Sequence, residues 1–327
     1  MTQPQALYPM LLEPVLHKRV WGGRRLESLF SKRLPSDEPY GESWELHDTA
    51  TVANGAHQGR TLADLLREYG AALIGPDNDP AQGFPLLIKI LDAEQWLSIQ
   101  VHPNDKFAAE LEGDPRGKTE AWYVLDAQPE ARLVIGIQPE TPIATVKAAI
   151  ENSTLEDLLV YADVTRGDVL QIEAGTIHAI GAGIVIYEVQ QSSDVTYRLY
   201  DWGRMGLDGK PRELHIDKSL KVSNLETLPS IRREESADSA VTVIQSQYFV
   251  TLRHTLRDEA ISLSTGGRDF HALTCVEGTL SISTDEGNND TLDFTVGQTV
   301  LIPAVVGGYT LRGTGIALNS MQSLPEM

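Results

Sequence analysis

The chain has 327 residues, 41% of them hydrophobic and 22% charged, the proportions of an ordinary soluble protein with one large or two medium domains. Its formal net charge of −19 argues against nucleic acid as a partner, because phosphate backbones are held by clustered Lys and Arg. No run approaches the roughly 18 apolar residues of a membrane span, the start Met1-Thr2-Gln3-Pro4-Gln5 lacks the features of a signal peptide, and the lone Cys275 excludes an internal disulfide, so the expected compartment is the cytoplasm.

Residues 7–60 read as short extended pieces broken at Trp21-Gly22-Gly23 and Pro39-Tyr40-Gly41. Gly41 to Leu46 alternates like a strand and places Glu42 and Trp44 on one face. Thr61 is the expected N-cap of a helix through Leu62, Leu65, Leu66 and Tyr69. Pro85 to Leu91 is an apolar run interrupted by Lys89, whose ammonium must either snorkel to water or point into a polar cavity.

Leu97, Ile99 and Val101 alternate with Ser98, Gln100 and His102, the period of a half-buried strand that Pro103 stops. An imidazole and an amide two residues apart on one strand face can both reach one metal ion. A short helix over Asn104 to Glu110 and a loop over Gly113 to Gly117 follow, then a strand from Lys118 to Leu125 with Lys118 and Glu120 on one face. Pro142 to Tyr161 reads as two short helices broken at Asn152-Ser153, with Thr154 capping the second. Strands are expected over Val169–Glu173, Gly183–Gln190 and Val195–Tyr200. Residues 228–240 (Glu234-Glu235-Ser236 among them) read as a linker, and 241–327 as further short strands with turns such as Glu286-Gly287-Asn288-Asn289.

Gly167 to His178 fits a G-x5-P-x-G-x-x-H template except that Glu173 replaces the proline, and so resembles the second signature of the cupin superfamily of metal-holding jelly rolls. Gln100-x-His102 stands where the first signature has His-x-His, and Glu120 supplies the later carboxylate. The template returns at Gly297 to Gly308 with glycine in the histidine position, and Phe270-His271-Ala272-Leu273 has no His-x-His pair. The expected fold is therefore mainly β, with two cupin-type jelly-roll barrels and a few short helices inserted in the N-terminal part. The expected domains are a metal-binding catalytic cupin over 1–235 and a second cupin-like jelly roll over 236–327 without metal ligands, in which His254 and His271 are structural or surface residues.

Leu97 to Asp105, Gly117 to Trp122, Gly175 to His178 and Tyr197 to Asp201 closely resemble the type I phosphomannose isomerases in their short bacterial form, a likeness covering most of residues 7–225. The resemblance implies a metal-dependent aldose–ketose isomerase that interconverts mannose 6-phosphate and fructose 6-phosphate through a cis-enediolate. It implies one catalytic Zn²⁺, or a neighbouring divalent ion, on Gln100, His102, Glu120 and His178. It puts the active-site arginine on Arg198, acidic residues on Glu188 and Glu42, and substrate-facing groups on Ser98, Lys89, Lys118 and Arg204. Two departures stand out: the helical insertion of the long forms is missing, and the spacing from His178 to Glu188 is one residue longer than in them.

The chemistry is consistent with those residues. Two neutral imidazoles, an amide and a carboxylate leave a divalent ion at about +1, a Lewis acid suited to a developing oxyanion. Glu188, Glu42 and Lys118 are the candidate proton carriers. Arg204, past a Trp202-Gly203 turn, is expected at the cavity mouth on the phosphate, with Lys89 next in line. The expected partner is a small sugar phosphate, with no nucleic acid, membrane or obligatory protein partner. The alternatives are a non-catalytic sugar-phosphate-sensing cupin and a metal-dependent cupin dioxygenase.

Overall fold

In the computed structural model, which describes residues 5–233, 236–284 and 291–323, the alternating segments become strands of two large sheets. The first runs in the order Arg232–Arg233, Asp168–Ile172, Glu120–Ala127, Ile184–Gln191, Leu86–Ala93, Val15–Gly23, Tyr40–Leu46. Two smaller sheets face it: Ile99–Val101 with Tyr197–Tyr200, and Arg132–Ile137 between Ala179–Ile180 and Leu159–Asp163. The second large sheet is built on the long strands Phe249–Ser264, Gly308–Gln322 and His271–Thr284, and it takes in Met10–Glu13 through pairing with Thr299–Ile302. The architecture is mainly β. Among the described residues every α-helix ends before Ser223.

Period-2 alternation explains why the first sheet is buried on both faces. Leu86, Ile88, Ile90, Tyr187 and Val189 join a core with Phe249, Phe270, Leu301 and Leu318 of the C-terminal strands. The alternate residues Leu91, Ala93, Trp122, Val124, Ile184 and Ile186 form a separate core inside the first barrel. A side chain on this second face, such as Lys89 or Glu188, therefore points into the barrel.

Thr61 caps the helix Leu62–Tyr69 by accepting from the Asp64 N–H, as the sequence leads one to expect; Asn104, expected within the next helix, instead caps Asp105–Glu112 by accepting from the Phe107 N–H. The stretch 142–161 differs from its expectation. A helix spans Ile143–Glu151, but the second helix is one 3₁₀ turn, Leu155–Leu158, uncapped by the Thr154 side chain. Leu159–Asp163 is instead a strand paired to Arg132–Ile137, where its Val160 and Tyr161 suit the pleat. The expected linker is also partly ordered: Arg232–Arg233 pairs with Asp168–Val169, and Arg233 Nε donates to Asp168 at 2.7 Å. Glu234, Glu235 and the Glu286–Asn289 turn lie outside the described residues.

In the C-terminal barrel His254 and His271 are both buried, which settles them as interior rather than surface residues. His271 Nδ1 meets the Tyr309 hydroxyl at 2.6 Å, whereas neither ring nitrogen of His254 has a hydrogen-bond partner among the described residues. Burial pushes each imidazole down to about 4 from 6.5, with His254 adding to the effect on His271. A histidine with a depressed folded pKa supports the fold above about pH 6.5 and loses that support as the pH falls toward 4. Asp269, pushed up to about 8 by burial, acts in the opposite direction over this window. His254→Leu isolates the imidazole. Its urea midpoint is expected to fall less steeply than the wild type's between pH 6.5 and 4, and parallel slopes would contradict the assignment.

Candidate active site

The site lies inside the first barrel, where sheet register brings distant residues together. Gln100 and His178 pair across an antiparallel bridge, with Gln100 N–H donating to His178 O at 3.0 Å and His178 N–H to Gln100 O at 2.9 Å. Gly175, at φ +93°, turns the chain into this bridge, and its N–H donates to His102 O at 2.8 Å. Gly117 runs hard against the start of the Asp105 helix: an added Cβ would lie 2.4 Å from Asn104 C. That close approach carries Lys118 and Glu120 to His102.

His102, Glu120 and His178 are wholly buried, and their ligand atoms lie within 4.8 Å of one another. His102 Nδ1 is 2.8 Å from Val195 O and His178 Nδ1 is 2.9 Å from Thr176 O. A carbonyl only accepts, so each Nδ1 carries the proton and each Nε2 presents a lone pair to the other residues of the cluster. Those Nε2 atoms stand 3.5 and 3.3 Å from the Glu120 oxygens. The Gln100 amide end is 3.5 Å from one and 3.3 Å from the other, and half a turn about its last bond presents the oxygen there. Ser98 Oγ, 3.3 Å from Gln100 Oε1, steadies that amide.

Among the described residues Glu120 has no well-directed hydrogen-bond donor on either oxygen, although Lys118 Nζ lies 2.8 Å away. Two imidazole lone pairs, an amide and an orphaned buried carboxylate form a donor set that fits a divalent metal. Burial, followed by the Lys118 charge, holds His102 well below its usual pKa. For Glu120, burial favours the acid, but Lys118 and the two imidazoles outweigh it and hold the carboxyl well below its usual range. Both shifts, of His102 and of Glu120, favour the forms that metal binding requires.

The cluster adjoins a cavity of about 670 Å³, lined by Gln100, Ser98, Lys118, Lys89, Glu188, Glu42 and Arg198. Lys89 points into this cavity; of its two possible directions the snorkelling one is not taken. Glu188 faces Lys89 and Trp122 in the sheet register, and Trp122 Nε1 donates to its Oε2 at 3.0 Å. Lys89 Nζ is 3.1 Å from the other oxygen, at an angle too poor for a hydrogen bond, and 5.3 Å from the Trp44 ring centroid. Burial, then the charge of Glu120, raises the Glu188 pKa against the pull of Lys89 and Lys118. Glu42 is the opposite case. Burial raises it, but Lys89 and Arg19 prevail and hold it at about 2. Arg19 grips it with donors at 2.8 and 2.9 Å, and Trp44 Nε1 adds a third at 2.7 Å.

Arg198 pairs with Gln100 across the ladder and lines the cavity, half-buried, with its Nε lacking an acceptor among the described residues. Arg204 does not reach the cavity, contrary to expectation. After the Trp202-Gly203 turn its Nη1 donates to Trp96 O and its Nη2 to Asp201 Oδ1, both at 2.7 Å. The sequence reading also missed Arg19, Asp194, Arg212 and His215 in the cavity wall. Arg19 was detectable, since His17, Arg19 and Trp21 alternate along one strand. Arg212 and His215 follow the Met205–Pro211 bridge and carry no periodic signal.

The comparisons point one way. Residues 10–154 match the family model of the phosphomannose isomerase type I catalytic domain. Mannose-6-phosphate isomerase ManA of Bacillus subtilis is 36% identical over 313 residues, 93% of this chain and 96% of that protein. The mannose-6-phosphate isomerase of Streptococcus mutans is 41% identical over 218 residues, 65% of this chain and 67% of that one. The crystal structure of a Bacillus subtilis mannose 6-phosphate isomerase superposes with a TM-score of 0.86 at 31% identity, covering 95% of this chain and 99% of that one. The chain therefore belongs to the type I phosphomannose isomerase family.

Proposed function

We propose that this protein is a zinc-dependent mannose-6-phosphate isomerase whose metal is held by Gln100, His102, Glu120 and His178. The observation that carries the reading is the wholly buried Glu120 carboxylate, without a directed donor among the described residues, between two imidazole lone pairs and next to Gln100 and Lys118, which line a cavity with Glu188. A bound zinc ion supplies Lewis-acid stabilisation of negative charge on the sugar oxygens.

The chain's own residues do the rest. Isomerisation moves a proton from C2 of the aldose to C1 through a cis-enediolate, which needs a carboxylate able to take a proton and return it. Glu188 suits this best: it is buried, takes one directed hydrogen bond, and has a raised pKa. Glu42, with three donors and a pKa near 2, is a poor base and serves as a fixed acceptor for a sugar hydroxyl. Lys118 adds its ammonium beside Glu120, and Arg198 a positive charge that does not titrate in the working range. Ser98 fixes the Gln100 amide, and Lys89 keeps Glu188 in place. The charged groups Lys89, Lys118, Arg198, Glu42 and Glu188 in the cavity lining fit a sugar phosphate better than a dioxygenase substrate. Turnover of mannose 6-phosphate, followed by coupled consumption of fructose 6-phosphate, tests the proposal.

A further inference from the structure

The cavity's basic residues are nearly all neutralised. Lys18 pairs with Glu38, Arg19 with Glu42, Lys89 with Glu188 and Lys118 with Glu120. Two surpluses remain on one side of the wall. Arg198 forms no ion pair among the described residues, and its Nε is buried without an acceptor. The second surplus arises at Asp201, one carboxylate shared by two guanidiniums. Arg212 approaches it with Nε and Nη2, each at 2.6 Å, and Arg204 with Nη2 at 2.7 Å. Arg204 spends its Nη1 on Trp96 O, away from the cavity, so the unspent charge of the trio falls to Arg212, which lines it.

His215 completes the arrangement. Its Nδ1 accepts from the Arg198 N–H at 3.3 Å, and its own N–H donates to Arg198 O at 2.8 Å. Burial, and less strongly Arg198, hold the ring below its usual pKa against the opposing charge of Glu213. A neutral ring that accepts at Nδ1 carries its proton on Nε2, so His215 offers an uncharged donor. The nearest acid to that nitrogen, the exposed Glu213, is 3.9 Å away, beyond hydrogen-bond reach.

We propose that Arg212, with Arg198 and His215, is the clamp for the phosphate of the substrate. The inference rests on the isomerase reading and assigns its remote binding subsite. Arg198, without an ion pair among the described residues, and Arg212, which shares its one carboxylate with Arg204, face a phosphate monoester of about −1.5 to −2 at neutral pH, in a chain whose net charge of −19 otherwise repels anions. The exposed carboxylates Asp194 and Asp208 also lie on the wall, and the charge of Asp194 acts on Arg198 from beyond ion-pair distance. Arg212 and His215 come from the segment after the Met205–Pro211 bridge, and Arg198 stands between them and Gln100. The phosphate at the rim thus leaves the reacting carbons at the metal end, the separation that remote binding needs in order to orient a substrate.

Inorganic phosphate is the probe, because its binding, measured by calorimetry on the metal-loaded protein, needs no turnover. Arg212→Gln is expected to weaken phosphate at least tenfold and raise KM for mannose 6-phosphate by about tenfold to a hundredfold, the loss of one or more charge-assisted bonds, with kcat much less changed. Arg212→Lys should recover part of the loss. Asp201→Asn breaks the same ion pair but leaves both guanidiniums charged, so it should hold phosphate at least as well as the wild type. Equal phosphate affinity in wild type and Arg212→Gln, no phosphate binding by the wild type, or equal damage from Asp201→Asn and Arg212→Gln would each overturn the clamp. A wild type that binds phosphate but does not turn over mannose 6-phosphate would instead refute the isomerase reading beneath it.

Discussion

His178→Ala is expected to abolish both stoichiometric metal and isomerase activity while leaving the fold in place. His178 supplies one of two lone pairs that face Glu120, and no other imidazole lies in the cluster among the described residues to replace it. Loss of an outer-shell partner alone typically costs about 10–100-fold in metal affinity, so loss of a ligand should exceed roughly a hundredfold. The backbone survives because the bridge to Gln100 is made by main-chain groups at 2.9 and 3.0 Å. Circular dichroism should be unchanged, and elemental analysis should show metal far below one ion per chain. Undiminished metal would remove His178 from the ligand set.

The second large effect is expected at Glu188. Replacing it with Gln keeps the volume and an acceptor for Trp122 but removes the carboxylate, and kcat should fall by about 10²–10⁴ at normal metal content. The wild-type activity should also fall as the pH drops through a pKa above the usual carboxylate range, because the base works ionised and burial plus Glu120 raise its pKa. Some stability will be lost, since Lys89, 3% exposed, loses the nearest of the carboxylates that act on it and is left with Glu42, Asp194, Glu120 and the Trp44 ring. A kcat within a few-fold of wild type would transfer the proton-carrying role to Lys118 or Glu42.

These roles were legible in the sequence to unequal degrees, for physical reasons. Strand alternation alone put Gln100 beside His102, Lys118 beside Glu120 and Glu42 beside Trp44, because a side-chain period of 2 is a local property. It also confined Lys89 to two directions, and only the register opposite Glu188 chose between them. The failures lie where the backbone is irregular. Leu155–Leu158 looked like a helix because one 3₁₀ turn and the start of a helix share a sequence pattern. Arg204 was placed on the phosphate by its spacing from Arg198, but the turn at Trp202, with φ 57°, sends it to Asp201 and Trp96. Arg212 and His215 lie beyond that turn in a segment held by one isolated bridge, where no periodicity foretells direction. The acid–base contrast between Glu188 and Glu42 was equally out of reach, since it depends on which cation closes on which carboxylate in the folded barrel.

The central claim, a metal-dependent isomerase acting at the His102–Glu120–His178 cluster, is tested most directly by one assay run in two states. Conversion of mannose 6-phosphate to fructose 6-phosphate is followed before and after chelation, and again as Zn²⁺ is added back. The account predicts turnover that vanishes on chelation and returns in proportion to metal, up to one ion per chain. Full turnover by a protein stripped of metal, or no turnover at any metal content, would contradict it.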